Sequence, residues 1–284
     1  MKTYSMNTAF VVLLCAVLAS CSKDTFSSSR DGSLPEGAYP MEFTAEGLDV
    51  GTLTRASVDG DWNGVESIAV WDNFLSTVAK RYSVTSTDGG KTAKLTSDDP
   101  IFWRSSIREV NIRAWYPYSE SFPAEWKVKS DQSTLENYRA SDFVYGSKCF
   151  NFDQRDDPSK SKIVFIHSIS KVVVQLIAGP GVELDGKTSV QLLNVSGVET
   201  GTTVTACRPD ATEQKFQALL TRQTIAGGTP FIQVSAGGKT FVYTPVADRM
   251  LEINHSSLYV ITVRQPARLQ HSPAAVPGAV SSSP

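Results

Sequence analysis

The sequence predicts an all-β protein made of two β-sandwich domains that follow a secretion signal. Apolar residues beyond residue 40 alternate with polar ones, as over residues 41–45 and 110–116, and a period of two is that of a half-buried strand. Turn-forming sequences such as Asp88-Gly89-Gly90 separate these runs at short intervals. Many short strands with this spacing favour antiparallel sandwiches over parallel βαβ units.

The composition excludes several classes of protein. Of the 284 residues, 41% are hydrophobic and 20% are charged, which is typical of a globular chain rather than a disordered or fibrous one. The 27 basic and 29 acidic residues nearly balance, and no basic cluster is present to bind nucleic acid. The four cysteines and three histidines are too scattered for a structural zinc site.

The N-terminus has the pattern of a bacterial lipoprotein signal. Lys2 precedes an apolar run over residues 9–18, and the run ends in Leu18-Ala19-Ser20-Cys21, which matches a lipobox. We predict that residues 1–20 are a signal peptide and that Cys21 carries the lipid, including palmitate. Each buried CH₂ group contributes roughly 0.8 kcal/mol, so the lipid anchors the chain without a transmembrane helix.

The remaining chain divides by composition. Residues 21–40 are rich in Ser, Gly and Pro and read as a flexible tether. All five tryptophans precede residue 160, so we predict an N-terminal sandwich over 41–160 and a C-terminal sandwich over 161–264, the latter either complete or lacking strands. Residues 265–284 contain four prolines without alternation and predict an irregular tail.

One short pattern resembles the start of a calcium loop. Asp59, Asp61 and Asn63 present oxygen ligands at alternate positions, with Gly64 at the turn. Position twelve is Val70 rather than a bidentate glutamate. The pattern therefore favours a polar hairpin turn over a metal site, and we expect no cofactor.

The sequence nominates no catalytic group. No histidine has an acid or nucleophile partner visible in the sequence, and motifs of common hydrolases and nucleotide-binding enzymes are missing. We therefore expect a protein that is not an enzyme. With Cys15 in the signal and Cys21 acylated, Cys149 and Cys207 remain, either as a disulfide or as two separate thiols.

The tryptophans of the first half leave a second alternative open. Large aromatic side chains fill the core of a β-sandwich, but they also form flat faces that stack on sugars. A monomeric surface lipoprotein that binds glycan through its N-terminal domain is the alternative function.

The chain resembles the fimbrillin-like family of the Bacteroidetes. The resemblance rests on the order and spacing of several short segments, none specific by itself. After the lipobox these are Thr54-Arg55-Ala56, Ile68-Ala69-Val70-Trp71, Ala114-Trp115-Tyr116-Pro117, residues 142–146 (DFVYG), 165–172 (FIHSISKV) and 258–263 (LYVITV).

The resemblance implies two transthyretin-like sandwiches, a lipid anchor in the outer membrane, and assembly with other subunits into a fimbrium, the type V pilus, which serves cell adhesion. An arginine-specific protease would cut between Arg55 and Ala56. An N-terminal strand bearing Met41, Phe43 and Ala45 would leave, and a strand from another subunit would take its place.

The C-terminus departs from the pattern of that family. Residues 265–284 lack the alternating strand sequence that relatives carry there, which puts donation of a strand from this end in doubt. A stalk subunit and an accessory, anchoring or tip subunit remain open, as does a host or glycan ligand.

Overall fold

The computed structural model describes residues 32–47, 61–73 and 76–264. It confirms the all-β class. Within those ranges the only α-helix is α1 (Leu135–Ala140), and none is long and apolar enough to span a bilayer. The strands are β1 (Phe43–Glu46), β2 (Ser67–Asp72), β3 (Lys80–Thr87), β4 (Thr92–Thr96), β5 (Val110–Tyr116), β6 (Val144–Phe150), β7 (Lys162–Val164), β8 (Ile166–His167), β9 (Ser170–Ala178), β10 (Ser189–Leu193), β11 (Thr203–Thr205), β12 (Lys215–Leu220), β13 (Gln223–Ile225), β14 (Ile232–Ala236), β15 (Lys239–Tyr243), β16 (Arg249–Leu251) and β17 (His255–Val263).

The N-terminal strands form one curled eight-stranded sheet in the order β7-β1-β4-β3-β2-β5-β6-β8. β7 and β8 are consecutive pieces of a single segment, which pairs with β1 at one edge and with β6 at the other. The sheet is therefore nearly closed. Gly146 of β6 permits the close approach, because a Cβ atom there would lie 2.5 Å from the carbonyl oxygen of Val164.

The alternation of each strand explains the core that this sheet encloses. Residues at every second position of β1 and β4 are buried while their neighbours are partly or fully exposed, and Ile112 and Ala114 of β5 are buried on the same face. The buried cluster includes Trp62, Ile68, Tyr82, Leu95, Ile112 and Phe165. The transthyretin-like topology stays a prediction, since the N-terminal strands share one sheet rather than two facing sheets.

The C-terminal strands surround a second core. They form sheets in the orders β11-β10-β14-β15, β12-β9-β17 and β13-β16. β17 lies parallel to β9 over nine residue pairs and occupies the end of its sheet. The side chains between the sheets include Val172, Val174, Val190, Leu192, Phe216 and Phe231.

The boundary predicted after residue 160 differs from the structure in two ways. β7 and β8 follow that residue yet belong to the N-terminal sheet. Conversely, Val128 lies in the C-terminal core, and the Gln132 amide binds both backbone groups of Leu219 in β12, at 2.8 and 2.9 Å. The two regions are thus held together by chain that crosses between them.

Residues 32–40 also differ from the predicted flexible tether. Leu34 N–H donates to Arg104 O at 3.0 Å, and Trp103 N–H donates to Tyr39 O at 2.9 Å. Backbone groups form these bonds, so a sequence rich in Ser, Gly and Pro can make them without a regular apolar pattern. This stretch is therefore part of the folded N-terminal region.

Candidate functional site

The site of interest is the position of β1 in the N-terminal sheet. β1 pairs antiparallel with β4, with Phe43 opposite Leu95, and parallel with β7, with Thr44 opposite Lys162. It is therefore an internal strand, although it is the first strand among the described residues. Its removal would open the sheet between β4 and β7 and leave the order β4-β3-β2-β5-β6-β8 uninterrupted.

One face of this segment is completely buried. Met41 and Phe43 are each 2% exposed and Ala45 is inaccessible. The Phe43 ring lies 5.6 Å from the ring of Tyr82 and 5.3 Å from that of Phe150, centroid to centroid. The three residues predicted as the apolar set of a removable strand therefore share one face and one aromatic site.

Tyr82 is the residue of this site that the sequence reasoning missed. Its hydroxyl donates to Met41 O at 3.1 Å and accepts from Ile101 N–H at 2.9 Å. Burial raises the pKa of Tyr82, since an ionised phenol would be desolvated there. Tyr82 lies on the period of two of β3, the one sequence signal that could have placed it inside.

Ion pairs flank the outer face of the strand. The Glu42 carboxylate lies 3.1 Å from Lys94 Nζ, and that of Glu46 lies 3.0 Å from Lys162 Nζ. Their side chains are partly exposed, so each pair contributes little to stability. Apolar burial and the two ladders hold β1, with charges guiding its register.

A groove of about 310 Å³ lies beside the start of β1. Its lining includes Met41, Phe43, Trp103, Cys149 and Arg155. The pairing of β1 with β7 covers only residues 44–46. The sheet is therefore not closed beside the first residues of β1, where the groove lies. The site is thus open to solvent where the strand begins.

Several predicted site residues lie outside the described residues, namely Cys21, Arg55, Ala56 and Asp59. Of the calcium candidates, Asp61 accepts the Asn63 N–H at 2.9 Å and the Asn63 side chain accepts from Ser86 Oγ at 2.9 Å. These bonds form a local polar turn. Within the described ranges no three Asp, Glu, His or Cys residues cluster as metal ligands.

Of the two cysteine arrangements left open, the structure has the separate thiols. Cys149 is exposed on β6, whereas Cys207 is buried and its backbone pairs with Gln217 of β12. The two cysteines belong to different sheets, so the disulfide is not formed. Burial raises the pKa of Cys207.

The tryptophans do not form an exposed sugar-stacking face. Trp62, Trp103 and Trp115 are at most 4% exposed. Trp71 and Trp126 are partly exposed, and their indole N–H groups donate to the carbonyls of Ser76 and Ser141 at 2.7 and 2.9 Å. The aromatic residues of the N-terminal half serve mainly to fill its interior.

A buried histidine stands between the two regions. His167 Nδ1 and Asp142 Oδ1 lie 2.8 Å apart, and both residues are buried. The backbone N–H of His167 donates to the Asn254 side chain at 3.2 Å. These contacts join β8 to the turn before β17 and place His167 in the interior.

The fold is shared with solved structures from Bacteroides. A candidate cell-adhesion protein from Bacteroides uniformis has a TM-score of 0.57 at 16% identity, over 81% of this chain and 94% of its own. A second, from Bacteroides ovatus, has a TM-score of 0.54 at 17% identity, over 79% and 92%. No curated protein shows significant sequence similarity. The structural matches show a shared β-rich fold.

The family follows from the sequence itself. Residues 54–276 match the profile of the Fimbrillin-like family, and this stretch is most of the 284-residue chain. The chain belongs to that family, which confirms the predicted resemblance and implies a place at the cell surface.

Proposed function

We propose that the protein is a lipid-anchored fimbrial subunit or accessory subunit that assembles by exchange of its N-terminal strand. Cleavage between Arg55 and Ala56 releases the segment that contains β1, and an extended strand of a neighbouring subunit takes its place. The observation that carries the proposal is that β1 is internal to the sheet yet is the first strand of the described residues.

The burial of β1 sets the stabilisation that an incoming strand must match. Burying Met41 and Phe43 contributes roughly 1.5–3 kcal/mol each, and the same gain is available to an incoming strand with similar side chains. The freed edges of β4 and β7 also offer hydrogen bonds to any strand in register. A vacated site therefore favours an apolar, alternating strand from another molecule.

The test is treatment of the protein with an arginine-specific protease, followed by electrophoresis in SDS without boiling. We expect ladders of stable oligomers from the wild type and none from Arg55→Ala. Arg222→Ala, which removes an exposed arginine between β12 and β13, is the matched control and should polymerise normally. Polymerisation of Arg55→Ala would refute the assigned cleavage position, and a cleaved wild type that stays monomeric would refute the exchange.

A further inference from the structure

Among the described strands, the outer edge of β17 is unlike the other long strand edges. β17 is nine residues long, ends its sheet, and contains no Lys, Arg, Asp, Glu or Pro. Natural proteins blunt exposed edges with such residues, or with bulges and short strands, because an open edge pairs with other chains. β15, an open edge of the facing sheet, has five residues and starts with Lys239.

The register of β17 shows which of its backbone groups are free. Val263 O accepts from Gly179 N–H at 2.9 Å, and Val263 lies opposite Ala178 of β9. In a parallel ladder alternate residues bond to the neighbour, so the odd-numbered residues of β17 face β9. The N–H and C=O groups of Ser256, Leu258, Val260 and Thr262 therefore point away from the sheet.

The surroundings of this edge leave it accessible. A groove of about 610 Å³ runs along β17, and its lining also includes Tyr243, Asp248, Arg249 and Met250. Leu258 is 55% exposed and Val260 is 59% exposed. No strand among the described residues pairs with this side of β17, and apolar side chains accompany the unpaired backbone groups.

We propose that β17 pairs antiparallel with β17 of a second copy of this chain, about a twofold axis through Tyr259. This register pairs Leu258 with Val260 of the second copy and Ser256 with Thr262. It is the one register in which all four outward residues find partners within β17, because 259 is the midpoint of residues 255–263. Residues 256–263 carry no formal charge, so the two paired strands do not repel each other.

The proposed interface goes beyond strand exchange at β1, since it uses the other end of the chain and leaves β1 in place. It joins two three-stranded sheets into one sheet of six strands across the axis. Exposed Leu258 and Val260 side chains then cover each other on the outer face, and the two Tyr259 side chains meet on the inner face.

The test is the association state of the purified, uncleaved protein by sedimentation equilibrium. We expect a reversible dimer that Val260→Lys or Leu258→Glu weakens about tenfold, because each substitution brings like charges diagonally across the axis. An equimolar mixture of the two variants should recover the dimer, because lysine then faces glutamate. Val242→Lys, a half-exposed site on β15, is the control and should leave the dimer intact.

Melting curves of each variant establish that the fold is retained, which the exposure of both sites leads us to expect. A wild type that stays monomeric at every concentration would overturn the proposal. So would loss of the dimer in Val242→Lys, or mixed variants that associate no better than each variant alone.

Discussion

β1 and β17 both alternate in burial but have opposite surroundings. Every second residue of β1 is buried, whereas from Leu258 to Thr262 every second residue of β17 is exposed. β1 has a neighbour on each side and a buried face, whereas β17 has one neighbour and exposes Leu258 and Val260. The difference teaches that alternation alone does not define how a strand is used. A strand with both sides paired must leave before another can enter, while a strand with a free side can accept a partner directly.

The largest expected effect on stability distinguishes the buried face of β1 from the exposed face of β17. Phe43→Ala should lower the free energy of unfolding by about 3–5 kcal/mol, because it leaves a cavity against Tyr82 and Phe150. Leu258→Ala, on the exposed face of β17, should change the stability of the monomer by no more than about 0.5 kcal/mol. Urea denaturation at a dilute concentration measures both, and equal losses would refute the contrast.

The enclosure of β1 by β7 can be tested at Gly146. An added Cβ atom there would lie 2.5 Å from Val164 O, so Gly146→Ala should force β7 outward and cost about 1–3 kcal/mol in unfolding free energy. Gly186→Ala, where a Cβ atom meets nothing within 4 Å, is the control. A neutral Gly146→Ala would mean that β6 and β7 are not closely apposed.

Tyr82 tests the hydrogen bonds beneath β1. Tyr82→Phe leaves the Ile101 N–H without its acceptor, so the unfolding free energy should fall by about 1–3 kcal/mol. Tyr259→Phe on β17 removes a half-buried hydroxyl, and we expect it to break no hydrogen bond. Its loss of unfolding free energy should therefore be smaller than that of Tyr82→Phe. Thermal melts at neutral pH compare the two variants.

The stabilities of the Tyr82→Phe and Tyr259→Phe variants should depend differently on alkaline pH. Burial raises the pKa of both phenols, and Tyr82 is the more deeply buried. A raised pKa in the folded state means that stability is fully present below the ordinary tyrosine value of 10.0 and is lost as pH rises above it. Tyr82→Phe should therefore flatten this alkaline loss more than Tyr259→Phe does. Equal slopes of unfolding free energy against pH in the two variants would contradict the deeper burial of Tyr82.

The smallest expected effect on stability comes from the ion pair between Glu42 and Lys94. Glu42→Gln breaks the partly exposed pair with Lys94 and should cost no more than about 1 kcal/mol, with the difference from wild type fading at high salt. Urea midpoints at low and high salt measure it. A larger, salt-independent loss would show that the ion pair, rather than the apolar face, holds β1.

Local pattern predicted much of this structure. The period of two identified β1 and placed Met41, Phe43 and Ala45 on one face, because alternation is a property of the strand itself. The boundary near residue 160 differs from the structure because residues 162–164 pair with β1, far earlier in the chain, and residues 166–167 pair with β6. The prediction of a flexible tether differs from the structure over residues 32–40. Backbone groups form the hydrogen bonds there, and side-chain composition carries no signal for them.

The most direct test of the central claim is native mass spectrometry of the protein after arginine-specific cleavage, with and without a synthetic peptide of residues 41–46. The account predicts that the N-terminal segment dissociates and that the remaining chain either binds the peptide or joins other copies. Retention of the segment on a cleaved monomer that binds no peptide would contradict the claim that β1 is an exchangeable strand.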